Sequence, residues 1–185
     1  AVLRSLNIRV VLVHGAAEQI AQLAEEQSLT PSNLDGTGIT DDATLKLALT
    51  AANGLTHEIL EGFATNDLRA ANANAVAAHP LGILAGTDHQ NSGQVERIDT
   101  ELLQTLLAQG ITPVIPPLGF DGEGNTFRLN SDSVAHCVAE ALQATKLIFI
   151  STTDGLQRDG AIVRQILSTE LQALSLIHIS EPTRL

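Results

Sequence analysis

Three stretches of the chain are apolar without polar alternation: the second half of Leu6–Val13, Ile111–Ile115 and Lys146–Ile150. Strands buried on both faces read this way, so the pattern predicts these three as adjacent parallel strands of one sheet. Between them the period changes to three and four. Ile20, Ala21, Leu23 and Ala24 mark a helix over Ala17–Gln27. Leu45, Leu47, Ala48, Ala51, Ala52, Leu55, Ile59 and Leu60 mark a long helix that Thr40 or Asp41 can cap and Gly62 stops. A third helix starts at Asp99 or Thr100 and closes at Gly110. A fourth covers Ser131–Ala144, with Val134, Ala135, Val138, Ala139, Ala141 and Leu142 inward. Polar, turn-forming runs separate these elements: Ser28–Gly38, Thr87–Gly93, a hairpin turn at Phe120–Asn125 and a loop at Thr152–Gly160 before a strand at Ile162–Leu167. Gln94–Ile98 reads as a short strand. Ala70–Leu84 fits neither period well; its alternation of Ala and Asn reads as a strand, although Ala is a poor strand former.

Long helices between apolar strands imply an α/β fold, a mostly parallel sheet with helices on both faces. Ligands of such sheets sit beyond the C-terminal strand ends. That expectation brings together His14–Ala17, Arg128–Asp132 and Ser151–Gly155.

A length of 185 residues allows one domain. The single cysteine excludes an internal disulfide and fits a reducing, cytoplasmic setting. No apolar run reaches the roughly 18 residues of a membrane helix. The net charge of −11 argues against nucleic acid as a partner, and with no Trp or Tyr there is little for bases to stack on. The chain contains no methionine, so residue 1 is not a start site and the chain reads as a fragment. Residues 174–185, from Leu174 through His178 to Arg184, look like an in-frame translation of a sequencing adaptor. They are set apart as an appendage expected to make few packed contacts, leaving 1–173 as a partial domain.

Candidate chemistry is sparse. His14-Gly15-Ala16-Ala17 joins a strand to a helix, where free N–H groups and the helix dipole favour an anion. An ordinary tight βα turn explains the same residues. Asn130-Ser131-Asp132 opens the fourth helix, and Asn130 or Ser131 as N-cap accounts for it fully. A polar cluster that orients a ligand is the functional alternative. Asp121-Gly-Glu123-Gly-Asn125 begins like a calcium loop, but its sixth position is Thr126 and its twelfth is Asp132, so a hairpin is the better reading. Cys137 reads as inert core. His57, His79, His89 and His136 lack metal-ligand spacing, and no metal or cofactor is expected on this chain.

The run Ala108–Gly155 carries Pro113-Val114-Ile115, the Asp121–Gly124 turn, Asn130-Ser131-Asp132, an alanine-rich helix and Ala144-Thr145-Lys146-Leu147-Ile148 in one order. With Val13-His14-Gly15, Thr40-Asp41 and Ser92-Gly93 through Asp99, it resembles the amino-acid kinase (carbamate kinase-like) fold over nearly all of residues 1–173. Within that fold, acetylglutamate kinases are similar but differ at telling positions. They carry three glycines after the histidine, where this chain has Gly15, Ala16 and Ala17. They carry an arginine that grips the substrate carboxylate, where this chain has Gly38. The first asparagine of their N-x-N-A-D motif is Arg128 here, and only Asn130 and Asp132 remain. Added β-carbons block close backbone approach, and a lost guanidinium removes a bidentate pair.

The kinase-like domains of bacterial N-acetylglutamate synthases are degraded at these same places. The Thr87–Val95 stretch followed by Ile98-Asp99 looks closer to them than to the kinases. That resemblance implies a parent enzyme that makes N-acetylglutamate from acetyl-CoA and L-glutamate, the first step of arginine synthesis, through a GNAT domain beyond residue 173. The part in hand would serve homo-oligomer assembly and feedback inhibition by arginine. It would hold no catalytic residue, only vestigial kinase-site positions at His14, Gly15, Ala16, Ala17, Gly38, Arg128, Asn130, Asp132, Thr153 and Asp154. An acetylglutamate kinase and a non-catalytic kinase-fold binding module are the alternatives.

Overall fold

The structure is a computed structural model that describes residue 6, residues 8–150 and the short strands at 157–158 and 161–162. It divides into two units, Ala1–Leu147 and Ile148–Leu185. Residues Ser151–Gly155 and residues 174–185, expected to be an appendage, lie outside the described residues.

In the first unit, β1 (Leu12–Val13), β2 (Ala70–Asn72) and β7 (Thr112–Ile115) form a parallel sheet in the order β1-β7-β2. The expected pairing of the first and second apolar runs is therefore present, with Leu12 opposite Val114 and Val13 opposite Ile115. β1 is much shorter than the expected Leu6–Val13, and Pro113 supplies a reason. Thr112 N–H donates to Arg69 and Val114 accepts from Ala73, both on the β2 side, whereas Ile115 accepts from His14 on the β1 side. Alternation then turns the Pro113 nitrogen toward β1, where it has no proton to give.

The third expected strand is not there. Lys146–Ile150 has no strand geometry, and Ile148 and Ile150 are 74% and 97% exposed. An apolar run shows that a segment gains from burial, but it does not supply the free hydrogen-bonding edge a parallel strand needs. The third place in the sheet goes to β2, from the Ala-Asn stretch that propensity hardly favours.

Four helices are described: α1 (Ala17–Glu26), α2 (Asp42–Thr65), α3 (Thr100–Ala108) and α4 (Ser131–Ala141). Their starts follow the capping residues. Asp41 accepts from Thr44 N–H, Asp99 from Leu102 N–H and Asn130 from Ser133 N–H. α3 ends at Gly110, whose φ of +67° suits a left-handed cap. Gly62 does not stop α2, which runs on to Thr65 before Asp67 turns left-handed at φ +54°. Two apolar clusters flank the parallel sheet. Leu103, Ile115, Val134 and Val138 belong to one, and Ile20, Ala24, Leu47, Ala48, Ala51 and Ala52 to the other. Val114 and Ile115 are both wholly buried, as a strand covered on both faces must be.

A second sheet, in the order β6-β3-β8-β9, is built from β3 (Val76–Pro80), β6 (Gly93–Ile98), β8 (Leu118–Phe120) and β9 (Thr126–Arg128). A bulge opposite Ala77 and Ala78 absorbs Glu96, which lets both Val95 and Ile98 turn inward although they are three residues apart. A bridge between Ser92 and Arg128 brings β9 back to the start of β6, nearly closing the four strands on themselves. So tight a closure leaves no space at two crossings. A β-carbon at Gly93 would lie 2.5 Å from Phe127 Cβ, and one at Gly119 would lie 2.5 Å from Ala78 Cβ.

Between β3 and β6, β4 (Ile83–Leu84), at the end of the stretch expected as a strand, pairs with β5 (Thr87–Asp88) in a small hairpin, so the start of the expected loop Thr87–Gly93 is strand. The β8–β9 turn is the expected hairpin. Asp121 accepts from Glu123 and Asn125 N–H groups at 2.9 and 2.8 Å, which spends its carboxylate on the turn. Cys137 is half-buried against the first cluster, and burial raises its thiol pKa. In the second unit, β10 (Gln157–Arg158) pairs antiparallel with β11 (Ala161–Ile162), so part of the expected loop 152–160 is strand. No helix among the described residues is long and apolar enough to cross a membrane.

Candidate functional site

Two of the three segments expected at the strand ends do meet. His14-Gly15 leaves β1 and runs directly past the start of α4, because a β-carbon on Gly15 would lie 3.2 Å from Ser131 Oγ. The third segment, with Thr153 and Asp154, lies outside the described residues.

His14 is buried, and its ring lies between two neighbours. Nδ1 is 2.9 Å from the Gly15 carbonyl, so that nitrogen carries the proton and donates. Nε2 is 2.9 Å from Thr56 Oγ1, which is itself 2.7 Å from the Ala52 carbonyl. A neutral ring and one hydroxyl hold two protons for these three contacts, so the Thr56 hydroxyl must choose between His14 and Ala52. Burial lowers the His14 pKa, partly offset by the Gly15 hydrogen bond, and favours the neutral ring.

Ala16 sits at the N-cap of α1 and is 4% exposed, with no side-chain oxygen to cap the helix. Its methyl and that of Ala17 stand where a Gly-rich turn would leave backbone open. Gly38 lies in the Ser28–Gly38 loop, where its carbonyl accepts from Ser92 Oγ at 2.6 Å. Asn130 caps α4 and donates from Nδ2 to the Asp35 carbonyl at 3.2 Å. Asp132 is exposed in the first turn of α4, near the positive end of the helix.

Arg128 is the least expected member. It ends β9, is 3% exposed, and directs its guanidinium into the Asn33–Asp35 segment. Its Nη1 donates to the Asn33 carbonyl at 2.8 Å and to Asn33 Oδ1 at 3.1 Å, and its Nη2 donates to the Leu34 carbonyl. Burial lowers the Arg128 pKa, and the nearby Asp35 charge partly restores it. Asp35 in turn is held below its usual range, first by the Thr37 hydroxyl and backbone and also by Arg128.

Sequence reasoning missed the polar network behind this arginine. Asn33 Nδ2 donates to Thr40 Oγ1 at 3.0 Å, and Thr40 Oγ1 is 2.9 Å from Ser92 Oγ. Thr40 and Ser92 are both wholly buried. Nothing local in the sequence marked Asn33 or Ser92 as members of this network. Among the described residues no cluster of His, Cys, Asp and Glu can hold a metal ion. Two open surface hollows of about 350 and 260 Å³ lie elsewhere, and none of His14, Arg128 and Asn130 lines either.

Comparison with known proteins agrees with this architecture. Residues 1–175 match the amino acid kinase family. The acetylglutamate kinase of Pelodictyon phaeoclathratiforme is 33% identical over 175 residues, covering 91% of this chain and 57% of the kinase. The amino-acid acetyltransferase of Pseudomonas putida is 35% identical over 175 residues, covering 89% of this chain and 40% of that protein. The solved N-acetylglutamate synthase of Neisseria gonorrhoeae, complexed with coenzyme A and N-acetyl-glutamate, superposes with a TM-score of 0.84 at 32% identity. That match covers 95% of this chain and 42% of the synthase. An isopentenyl phosphate kinase, 16% identical with a TM-score of 0.53, shares the fold alone. The chain thus spans between 40% and 57% of the length of these curated relatives. It is related to both acetyltransferases and kinases, and by fold and sequence it belongs to the amino acid kinase family.

Proposed function

We propose that this chain is the kinase-like domain of an N-acetylglutamate synthase, which transfers the acetyl group of acetyl-CoA to L-glutamate. In this reading the domain does no phosphoryl transfer. It assembles the enzyme into a homo-oligomer in the cytoplasm and carries arginine feedback inhibition to an acetyltransferase domain elsewhere in the parent. His14 through Ala17, Gly38, Arg128, Asn130 and Asp132, with Thr153 and Asp154, are then remnants of a kinase cleft.

The observation that carries the reading is the placement of Arg128. Where acetylglutamate kinases resemble this chain but have an asparagine, a guanidinium is buried and bonded to the chain's own Asn33 and Leu34. Phosphoryl transfer depends on positioning and charge stabilisation by many groups at once. An arginine engaged by the chain's own loop, with methyls at Ala16 and Ala17, is poorly suited to that. A working acetylglutamate kinase is the second reading. It is favoured by Asn130 and Asp132 at the start of α4, and by the 33% identity to such a kinase.

The test uses the protein made from the intact native gene. It is given acetyl-CoA with glutamate in one assay and ATP with N-acetylglutamate in the other. Acetylation without phosphorylation is expected. Phosphorylation without acetylation would defeat the proposal in favour of the kinase. The isolated chain of 185 residues is expected to form no N-acetylglutamate above a buffer control.

A further inference from the structure

Residues Ser32–Thr40 close on themselves at their ends. Ser32 Oγ donates to the Ile39 carbonyl at 2.8 Å, and Ser32 N–H donates to Thr44 Oγ1 at 2.8 Å. Both ends are therefore tied at the first turn of α2, the layout of a compact Ω-type loop. Little apolar burial holds the middle down, since Leu34 is 43% exposed and none of these residues belongs to either apolar cluster.

Polar contacts hold it instead. Arg128 makes three hydrogen bonds to Asn33 and Leu34, Asn130 donates to the Asp35 carbonyl, and Ser92 donates to the Gly38 carbonyl. Gly36 takes φ +78°, and a β-carbon there would lie 2.8 Å from the Leu129 carbonyl, so the backbone lies directly on Leu129 and Asn130. Among the described residues Arg128 has no carboxylate within ion-pair distance. Its hydrogen bonds all go to neutral oxygens of one segment, with the Asp35 charge nearby but beyond ion-pair distance. A buried cation satisfied in this way holds that segment firmly, because either partner left alone faces an uncompensated desolvation cost.

We propose that Arg128 is a latch and that Asn33–Gly38 is a strap it holds shut over the start of α4. The hydrogen-bond chain from Arg128 through Asn33, Thr40 and Ser92 to Gly38 carries the latch to the far end of the strap. Release is a local opening, since the strap contributes almost nothing to the core. An open strap exposes the Arg128 guanidinium and the Leu129–Asn130 backbone together. This inference stands on the contacts alone and holds whichever reaction the parent performs.

Hydrogen exchange on the full chain tests it, with Arg128→Lys, Arg128→Ala and Asn33→Ala. Lysine keeps the charge, but its single ammonium cannot fork between Asn33 and Leu34. Amides of residues 33–38 are expected to exchange at least about tenfold faster in all three variants, the effect of losing one hydrogen bond to a charged group. Amides of Val114, Ile115, Val134 and Val138 keep their rates. Should Arg128→Ala fail to fold, Asn33→Ala decides at the Thr37 amide, because Asn33 lies outside both apolar clusters and only the Gly36 N–H loses its own acceptor, Asn33 Oδ1, in that variant. Strap amides at wild-type rates in Asn33→Ala, or faster only in step with those of β7 and α4, would overturn the latch.

Discussion

Substitution of Gly119 by alanine probes the near-closure of the four-stranded sheet. Its φ is not left-handed, so the backbone accepts a side chain and the whole effect is steric. The new methyl would lie 2.5 Å from Ala78 Cβ and 2.8 Å from Leu129 Cδ1, against an optimal carbon–carbon contact of about 3.5–4.0 Å. Leu129 can rotate, but the Ala78 methyl is fixed to the backbone of β3, and Ala78 is wholly buried. The strands must therefore separate by about 1 Å, the difference between those distances. Overpacking of this kind costs about 1–3 kcal/mol, and the stiffer unfolded chain returns about 0.4–1 kcal/mol. A net loss of about 1 kcal/mol is expected. Gly122→Ala is the control, because nothing lies within 4 Å of its β-carbon position. The chain has no Trp or Tyr, so urea unfolding followed by far-ultraviolet circular dichroism is the suitable assay. Adding Ala78→Gly should recover much of the loss, a coupling expected of two residues in contact. Equal midpoints for Gly119→Ala and Gly122→Ala would refute the packing argument, and so would simple additivity in the double variant.

His14 titrates below its usual value in the folded protein, so the folded state binds fewer protons than the unfolded chain as pH falls from about 6.5. Its contribution is fully present above the unfolded pKa and is lost as pH falls through the folded one. His14→Gln should flatten the stability profile in the range just below about pH 6.5, and an unchanged slope would exclude the buried neutral ring. Asp41→Ala should cost about 1 kcal/mol through the lost α2 cap, whereas Asp42→Ala, one position into the helix, should cost less; equal losses would count against the cap. Pro113→Val restores a donor facing β1, so the new amide and that of Val10, which alternation also turns toward β7, should gain exchange protection; none would appear if another feature limits the strand.

Local chemistry in the sequence was enough for most of the helices. Asp41, Asp99 and Asn130 cap where capping logic puts them, and Gly110 ends α3, because these choices depend on a few neighbouring residues. The Asp121 hairpin was legible for the same reason, whereas the pairing of the first two apolar runs, about a hundred residues apart, was legible from their unbroken hydrophobicity. Arg128, as a departure from the kinase pattern, was visible too, although its position said nothing of its partners.

Tertiary structure decided the rest. Apolar character marked Lys146–Ile150 as a strand, yet the place beside β7 went to Ala70–Asn72, because a sheet selects by free edges and packing as much as by hydrophobicity. The bulge at Glu96 and the Ser92–Arg128 bridge depend on how two separate strands meet. Arg128 finds Asn33 and Leu34 across more than ninety residues of sequence, and Asn33 finds Thr40 and Ser92. No periodicity encodes such contacts. Each polar atom there is tolerable in the interior only because distant chain supplies its partner, so its role exists only once the fold has formed.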